Sequence, residues 1–209
     1  MTTVKRHIAC FCENTFDAEM PESADSNGEV TGHILDGSFM AVSCPACGKR
    51  LTPEYPFRLK GLAGRGDVFL VPEADRIAYI RGKLNYGIGE PWRVVVGFPE
   101  LVEKVTVAAE GLDDRVIEIM KYYLLTGAGQ AAAGAGESEI VLSYRGREAG
   151  RHLFHIRGMK DGEVGVARLA AEFYTRIAAD VETRVTEEPF KDFCRAPWVS
   201  LRKAQGGQE

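Results

Sequence analysis

Four of the five cysteines fall into two short clusters, and their spacing constrains the fold of this chain more than any other feature. One residue separates Cys10 from Cys12, two residues separate Cys44 from Cys47, and 31 residues lie between the two clusters. Structural zinc is held in a tetrahedron, and four-cysteine sites commonly present their ligands as two short pairs on separate turns. We therefore predict that these four cysteines bind one structural Zn²⁺ ion.

The second cluster carries the stronger signal. Two intervening residues let the sulfurs of Cys44 and Cys47 face one metal, and Gly48 permits the positive φ that such a turn often needs. The first cluster is one residue shorter, but side chains two apart on a strand point the same way, so Cys10 and Cys12 can share a metal. Four thiolates leave the site negatively charged, and nearby cations would offset that charge: Lys5, Arg6, Lys49 and Arg50.

Other roles for the clustered cysteines stay open at the level of sequence. The four thiols can be buried or unpaired, or Cys44 and Cys47 can form a redox pair. A redox pair usually opens a helix, whereas residues 49–53, Lys-Arg-Leu-Thr-Pro, begin a helix poorly. His7 and His33 lie near the clusters, and either can replace a cysteine as a ligand. A disulfide framework is disfavoured, because the cysteine count is odd and the first residues lack the apolar core of an export signal.

The first third of the chain has the pattern of a small β unit. Residues 4–12, 39–43 and 55–59 read as three short strands, the first of which runs into a tight turn. Residues 13–36 contain seven carboxylates and no Lys or Arg, with a turn near 26–28, and we interpret them as an acidic contact loop. Residues 61–66 form a glycine-rich joint, the best candidate for a boundary.

The rest of the chain alternates strand-like and helical patterns. Runs at 68–71 and 76–80 suggest a hairpin, and 92–98 a further strand. A helix is predicted from Pro99, and a second one, capped by Asp113 or Asp114, ends at Gly127. Residues 127–136 read as a low-complexity linker, 139–144 and 151–156 as a hairpin, 168–182 as an amphipathic helix, and the tail after Arg202 as disordered.

These patterns predict an α+β fold, with a zinc-ribbon-like antiparallel β unit joined to β-hairpins and amphipathic helices. The expected sections are a zinc-ribbon-like unit at 1–62 and a hairpin with two helices at 63–127, continuous with the first in one domain. A hairpin and a helix at 138–209 complete the chain. A small three-stranded unit has little core of its own, so we expect metal binding to supply much of its folding free energy.

The two cysteine clusters, the element Cys44-Pro45-Ala46-Cys47, and the stretches 101–104 and 111–122 together resemble the CpXC domain family of bacteria and archaea. The resemblance covers about residues 8–125. It implies cysteines that bind metal and no established activity. The first cluster departs from the Cys-Pro-x-Cys element for which the family is named, since it reads Cys-Phe-Cys.

The net charge and the apolar pattern of the chain indicate which general classes of partner it attracts. The net charge of −4 and the pI near 5.7 give no global attraction to nucleic acid or to an anionic membrane. No apolar run approaches the ~20 residues that a membrane-spanning helix needs. We therefore expect no membrane association, and a cytoplasmic location in a bacterial or archaeal cell.

Three functions compete. The first is a non-catalytic interaction module that binds another protein or its own copy. The second is a nucleic-acid-binding regulator using the basic stretch 49–65, in which Tyr55 and Phe57 are interleaved with cations. The third is an enzyme that uses Cys194 or a zinc with an open coordination position, although four cysteine ligands would close that position.

Two further features have a structural and a functional interpretation. Cys194 is either a nucleophile whose pKa is lowered by Lys191 and Arg195, or, as lone cysteines near aromatics usually are, a buried hydrophobe. His152 and His155 would lie on opposite faces of the predicted strand, so we do not expect them to share a metal. The glycines from Gly127 onward formally match a dinucleotide fingerprint, but they follow a helix rather than a strand.

Overall fold

A computed structural model describes residues 1–131 and 140–205 of the chain. The protein forms two compact units, Met1–Val105 and Thr106–Glu209. Helices and β-strands occur in both, as the predicted α+β class requires. No helix within the described ranges combines the length and the apolar character that a bilayer crossing demands.

The first unit is built on a five-stranded sheet. Its strands and helices, in chain order, are β1 (Thr2–Ala9), β2 (Thr15–Asp25), α1 (Gly28–Leu35), β3 (Val42–Ser43), β4 (Arg50–Leu51), β5 (Phe57–Lys60), β6 (Val68–Val71), α2 (Arg76–Ile80), β7 (Arg93–Val96) and the first part of α3 (Phe98–Ala109), which continues into the second unit from Thr106. The strand order in the sheet is β1-β2-β5-β6-β7, and β3 and β4 form a separate two-stranded ladder.

The direction of the strands corrects the prediction of a purely antiparallel unit. β1 and β2 form an antiparallel hairpin, but β2 pairs with β5 in parallel, and β6 with β7 in parallel. Parallel neighbours need a crossover connection. Between β2 and β5 the crossover consists of α1 and the β3–β4 ladder, so the second cysteine cluster lies on the connection and not in the main sheet.

The acidic segment 13–36 is a strand and a helix, so its interpretation as a contact loop is wrong. Phe16, Ala18 and Met20 alternate with exposed polar residues along β2, the period-2 pattern of a half-buried strand. The predicted turn near 26–28 is confirmed, because Asn27 separates β2 from α1. Its side chain accepts a hydrogen bond from the Val30 amide at 2.9 Å and caps the helix.

The run 76–80 is helical, which corrects the predicted hairpin with 68–71. A 3-10 turn at Glu73–Asp75 leads directly into α2. Arg76 donates to both carboxylate oxygens of Glu73, at 2.5 and 2.8 Å, and to the carbonyl of Val96 at 3.1 Å. These contacts hold the start of the helix, while β6 takes β5 and β7 as its partners.

The second unit combines one long helix with a three-stranded antiparallel sheet. Its elements are α4 (Asp114–Ala131), β8 (Val141–Glu148), β9 (Arg151–Arg157), β10 (Gly165–Ala170), α5 (Ala171–Ala178), α6 (Val181–Arg184), α7 (Phe190–Phe193) and α8 (Arg202–Gln205). The strand order is β10-β9-β8. The core contains large buried side chains from strands and helices, including Ile119, Met120, Tyr144, Phe154 and Phe193.

Several predictions for residues 99–209 are tested by the structure. The hairpin of β8 and β9 is confirmed, as is the helix from Pro99. The predicted helix at 168–182 starts later, because Gly165–Ala170 pair with β9. α4 continues through Gly127 to Ala131, and the rest of the predicted linker at 127–136 lies outside the described residues. Arg202–Gln205 are helical, which corrects the first part of the predicted disordered tail.

Candidate metal centre

The first cysteine pair occupies the turn of the β1–β2 hairpin. Residues 10–14 connect the strands, the Cys10 amide donates to the Asn14 carbonyl at 2.9 Å, and the Glu13 amide donates back to the Cys10 carbonyl at 2.9 Å. Glu13 has a left-handed backbone with φ of 68°. The tight turn predicted at the end of the first strand is therefore confirmed, and it presents both cysteines.

The second pair occupies the turn between β3 and β4. The Cys44 amide donates to the Lys49 carbonyl, and the Gly48 amide donates to the Cys44 carbonyl, both at 2.9 Å. Gly48 has φ of 72°, which confirms the predicted positive φ. Both ligand pairs thus sit on turns of antiparallel hairpins, and each turn is closed by two backbone hydrogen bonds.

The fold brings the four sulfur atoms of the two turns together. Cys10 Sγ lies 3.6 Å from Cys47 Sγ, and Cys12 Sγ lies 3.7 Å from Cys44 Sγ. All four sulfurs lie within 4.8 Å of one another, and all four cysteines are free thiols. A tetrahedral ion with metal–sulfur bonds of about 2.3 Å requires sulfur–sulfur distances of about 3.8 Å. The donor set and its spacing therefore fit one tetrahedral metal ion.

Polar groups around Cys44 favour its thiolate. Burial raises the pKa of this thiol, but the backbone amides of Cys47 and Ala46 donate to its sulfur, and the net effect is a pKa lowered to about 6. The side-chain amide of Asn14 adds a further hydrogen bond to the sulfur at 3.7 Å. The sequence analysis did not identify Asn14 as a neighbour of the sulfur cluster. The sequence feature that could have indicated it is its position two residues after Cys12.

The neighbouring thiol behaves in the opposite way. The Lys49 amide lowers the pKa of Cys47, but contacts with Cys12 and Cys10 together with burial raise it to about 12. Closely spaced sulfurs cannot all ionise without a compensating positive charge. Four thiolates in this volume would therefore require a bound cation, and thiolates favour soft or borderline metal ions.

The side chains predicted to offset the negative charge mostly make other contacts. Lys5 forms an ion pair with Asp17 at 2.8 Å, and Arg50 donates to the carbonyl of Gly37 at 2.9 Å. Arg6 lies over the ring of Tyr55, 5.1 Å from its centroid. Lys49, on the second turn, lies over the ring of Phe11, on the first turn, 4.5 Å from the centroid. One of the four predicted cations therefore lies between the two turns.

Neither histidine near the clusters belongs to the sulfur cluster. His7 Nδ1 lies 3.0 Å from the Asp17 carboxylate, and His33 Nδ1 lies 2.7 Å from Ser38 Oγ. Within residues 1–131 and 140–205, the four cysteines are the one group of potential ligands that converges on a point. The short sulfur contacts join the two turns, which does not favour a self-contained Cys44–Cys47 redox pair.

The remaining candidate residues lie apart from this cluster, in the second unit. Cys194 is 5% exposed, and burial, followed by the carboxylates of Glu118 and Asp114, raises its pKa to about 12. This confirms the buried-hydrophobe interpretation of Cys194. His152 is buried on one face of β9 and His155 lies on the other, which confirms that they do not form a joint site.

The comparison with known proteins agrees with this arrangement. The CpXC protein family matches residues 8–121, more than half of the chain, and the chain belongs to this family. An uncharacterized protein of Treponema pallidum (strain Nichols) is 26% identical over 191 residues, which cover 81% of this chain and 85% of that protein. No solved structure shows significant similarity to this fold.

Proposed function

We propose that Cys10, Cys12, Cys44 and Cys47 bind one structural zinc ion. The observation that carries the proposal is the convergence of four free sulfurs within 4.8 Å on two hairpin turns. A tetrahedral all-sulfur donor set suits zinc or iron, and zinc is the common occupant of structural sites of this kind. Zinc supplies no redox chemistry there; it neutralises the thiolates and links the two turns.

We propose in addition that this part of the protein is zinc-ribbon-like. Support comes from the two ligand pairs, each on the turn of an antiparallel hairpin, formed by β1–β2 and by β3–β4. The five-stranded sheet, which takes β5 from section 1–62 and β6 and β7 from section 63–127, supports the proposed continuity of these two sections. The core that α4 shares with β8 and β9 does not favour a boundary between α4 and the proposed section 138–209. Limited proteolysis of the metal-loaded chain tests this division.

Free thiols suit a reducing compartment, so we propose a cytoplasmic location.

Elemental analysis of tag-free protein is the direct test of the metal site. We expect one zinc per chain in the wild type and none in the double variant Cys10→Ser, Cys44→Ser. Cys194→Ala is the matched control, because it removes a cysteine of the second unit that does not belong to the cluster, and it must keep the zinc. A folded wild type without zinc would overturn the proposal. One iron per chain would show that the site binds iron and not zinc.

For the cellular role, we propose a non-catalytic module that binds a protein or a second copy of the chain. Four cysteine ligands leave no open coordination position, so the ion has a structural role. Phe11, at the tip of the first turn, is 84% exposed, and aromatic side chains of this kind often anchor protein interfaces. Sedimentation velocity over a range of concentrations, with wild type and Phe11→Ser, tests the self-association branch.

A nucleic-acid-binding function through residues 49–65 is the second candidate, and several contacts weaken it. Phe57 is fully buried in β5, so it is not available to stack on a base, contrary to the interpretation from sequence. Arg58 pairs with Asp67 at 2.8 Å, and Arg65 lies over Trp92 at 5.6 Å. Binding to a single-stranded oligonucleotide that falls steeply with salt would revive this candidate; no binding at low salt would end it.

A further inference from the structure

The four cysteines of the candidate metal centre are unevenly exposed. Cys10 and Cys44 are buried, whereas Cys12 and Cys47 are exposed. Four cysteine ligands close the coordination sphere of an ion, but at this surface they leave two of the ligand residues open to small solutes. The exposed half of the centre therefore offers a place for chemistry at the sulfur atoms and not at the ion.

Each of the two close sulfur contacts joins an exposed cysteine to a buried one. Cys47 Sγ lies 3.6 Å from Cys10 Sγ, and Cys12 Sγ lies 3.7 Å from Cys44 Sγ. A disulfide bond is about 2.0 Å long, so each pair has to close by about 1.6 Å to form one. Both contacts run from one hairpin turn to the other. Each exposed sulfur therefore has a buried sulfur of the opposite turn within reach.

Two features favour attack by the exposed sulfurs on an oxidant. The cysteine ligands of a bound metal are thiolates, and the thiolate is the nucleophilic form of cysteine. Reactive cysteines lie in positively charged, partly exposed surroundings, and the ammonium group of Lys49 lies between the two turns, 4.5 Å from the ring centroid of Phe11. Cys194 has neither feature, because it is buried in the apolar core of the second unit.

We propose that the metal centre is sensitive to oxidation: peroxides convert its sulfurs into two disulfides that link the turns, Cys10–Cys47 and Cys12–Cys44, and the zinc is released. This inference rests on the proposed function, because zinc holds the four thiolates before oxidation. It adds a regulation of that site, since the protein keeps the ion under reducing conditions and releases it under oxidising ones.

The chemistry of each pair consumes one molecule of hydrogen peroxide. The exposed thiolate attacks one peroxide oxygen, the O–O bond breaks, and a sulfenic acid and a hydroxide form. The buried thiolate then attacks the sulfenic sulfur, the S–O bond breaks, and a disulfide and a second hydroxide form. Two protons from the solution convert the hydroxides into water. Because thiolates and not disulfides are the metal ligands, the ion leaves as Zn²⁺ with its oxidation state unchanged.

The two disulfides replace the zinc as the link between the turns. Cys10 and Cys47 are 37 residues apart, and Cys12 and Cys44 are 32 apart. Cross-links that close loops of this length stabilise a fold mainly by restricting the unfolded chain. In hydrogen exchange, the β3–β4 ladder should therefore keep its protection in the oxidised, zinc-free protein and lose it in the reduced, zinc-free protein.

Titration of zinc-loaded, full-length protein with hydrogen peroxide tests the proposal. We expect one zinc released and two disulfides formed per chain, measured with a chromogenic chelator and by peptide mass spectrometry without reduction. Cys194 should stay reduced, and Cys194→Ala should release the same amount of zinc. Dithiothreitol followed by zinc should restore the starting state.

Single substitutions identify which sulfurs pair. In Cys47→Ser and in Cys10→Ser, peroxide should still join the peptides of the two turns, through Cys12 and Cys44. Pairing within each turn would instead give Cys10–Cys12 in the first variant and Cys44–Cys47 in the second, with the two peptides separate.

The outcomes separate this inference from the zinc proposal. A wild type that contains zinc and keeps it in excess peroxide would overturn the inference alone. So would disulfides within the turns, or sulfinic acids at Cys12 and Cys47 in place of disulfides. A wild type that contains no zinc before peroxide is added would overturn the proposed function, and this inference with it.

Discussion

At the scale of single residues, the environment of each cysteine sets its chemistry. Cys10 and Cys44 are buried and Cys12 and Cys47 are exposed, yet their sulfurs share one small volume. Cys194 lies in the apolar core of the second unit. The same type of side chain therefore occupies two environments in this chain: backbone amides donate to the sulfur of Cys44, whereas Cys194 is surrounded by apolar side chains.

Cys194 should be unreactive in the folded protein. Its pKa is raised to about 12 by burial and by neighbouring carboxylates, so almost no thiolate exists near neutral pH. We expect iodoacetamide at pH 7.5 to label Cys194 at least about 100-fold more slowly than a model thiol of ordinary pKa, about 8.5. Peptide mass spectrometry of timed aliquots measures the rate, with urea-unfolded protein as the control. Labelling at the rate of the model thiol would show that the side chain is accessible and ionised.

Gly48 should be required for its backbone conformation alone. A Cβ at this position would meet nothing within 4 Å, but φ is 72°, where non-glycine residues are strained by about 1–2 kcal/mol. Gly48→Ala should lower the free energy of unfolding of the zinc-loaded protein by that amount, measured by urea titration. The matched control is Gly32→Ala in α1, which also meets nothing within 4 Å and should stabilise by about 0.5–1 kcal/mol. Changes of the same sign in both variants would contradict this reasoning.

At the scale of secondary-structure elements, a buried polar network holds the sheet of the second unit. Tyr144 on β8 donates to Glu110 at 2.6 Å and lies 3.1 Å from His152 Nδ1 on β9. The ring of His152 stacks on Tyr174 of α5, with centroids 5.2 Å apart. Because Tyr144 and His152 are buried, the polar atoms of each require a hydrogen-bond partner.

Removing the Tyr144 hydroxyl should therefore be costly. Tyr144→Phe leaves Glu110 and His152 without a shared partner, and we expect the free energy of unfolding to fall by about 1–3 kcal/mol. Tyr123→Phe is the matched control, because that hydroxyl accepts a hydrogen bond from Arg184 at 3.2 Å at an exposed position. Its effect should stay within about 0.5 kcal/mol. Chemical denaturation of both variants gives the comparison, and equal effects would show that the network contributes little.

The same network should make stability depend on pH. Burial, and then the charge of Arg147, lower the pKa of His152 in the folded state. The unfolded chain, with an ordinary histidine pKa of about 6.5, then binds more protons as the pH falls. The stabilisation is fully present above that value and is lost as the pH falls below it toward the folded pKa. Denaturation midpoints from pH 7.5 to 5.5 should decline in the wild type and decline less in His152→Gln; parallel curves would argue against this linkage.

At the scale of the whole molecule, the two compact units differ in what stabilises them. The second unit has its own core of large apolar side chains from α4, β8, β9 and α7. In the first unit, the β3–β4 ladder has two residues in each strand, and a ladder this short is not stable by itself. On the zinc proposal, the metal supplies the missing stability for this ladder and for the turn that faces it.

Removal of metal should therefore loosen one part of the chain selectively. After chelation, hydrogen exchange should accelerate in residues 1–14 and 42–51, while β8, β9 and α7 keep their protection. Mass spectrometry of exchanged peptides gives both readings in one experiment. The variant Cys10→Ser, Cys44→Ser should resemble the chelated protein, and Cys194→Ala the metal-loaded one. Uniform loss of protection along the chain would show that the metal stabilises the whole molecule.

The sequence by itself determined the features that depend on local chemistry. Cysteine spacing, a glycine after the second pair, and two strand-like runs, 139–144 and 151–156, on either side of a glycine-bounded turn are local signals. They correctly predicted the two cysteine pairs, the positive φ at Gly48 and the β8–β9 hairpin. The family resemblance, confirmed over residues 8–121, rests on the same short motifs.

Only the tertiary structure decided which strands pair and which runs become helices. Residues 76–80 have a strand-like composition but form α2, because β6 has its two neighbours already and Arg76 is held by Glu73. Residues 168–170 carry a helical pattern but extend the sheet, because β9 offers a free edge. Likewise, Asn14 reaches the Cys44 sulfur only once the two turns meet. Such outcomes depend on partners distant in the chain, and local propensity contains no information about those partners.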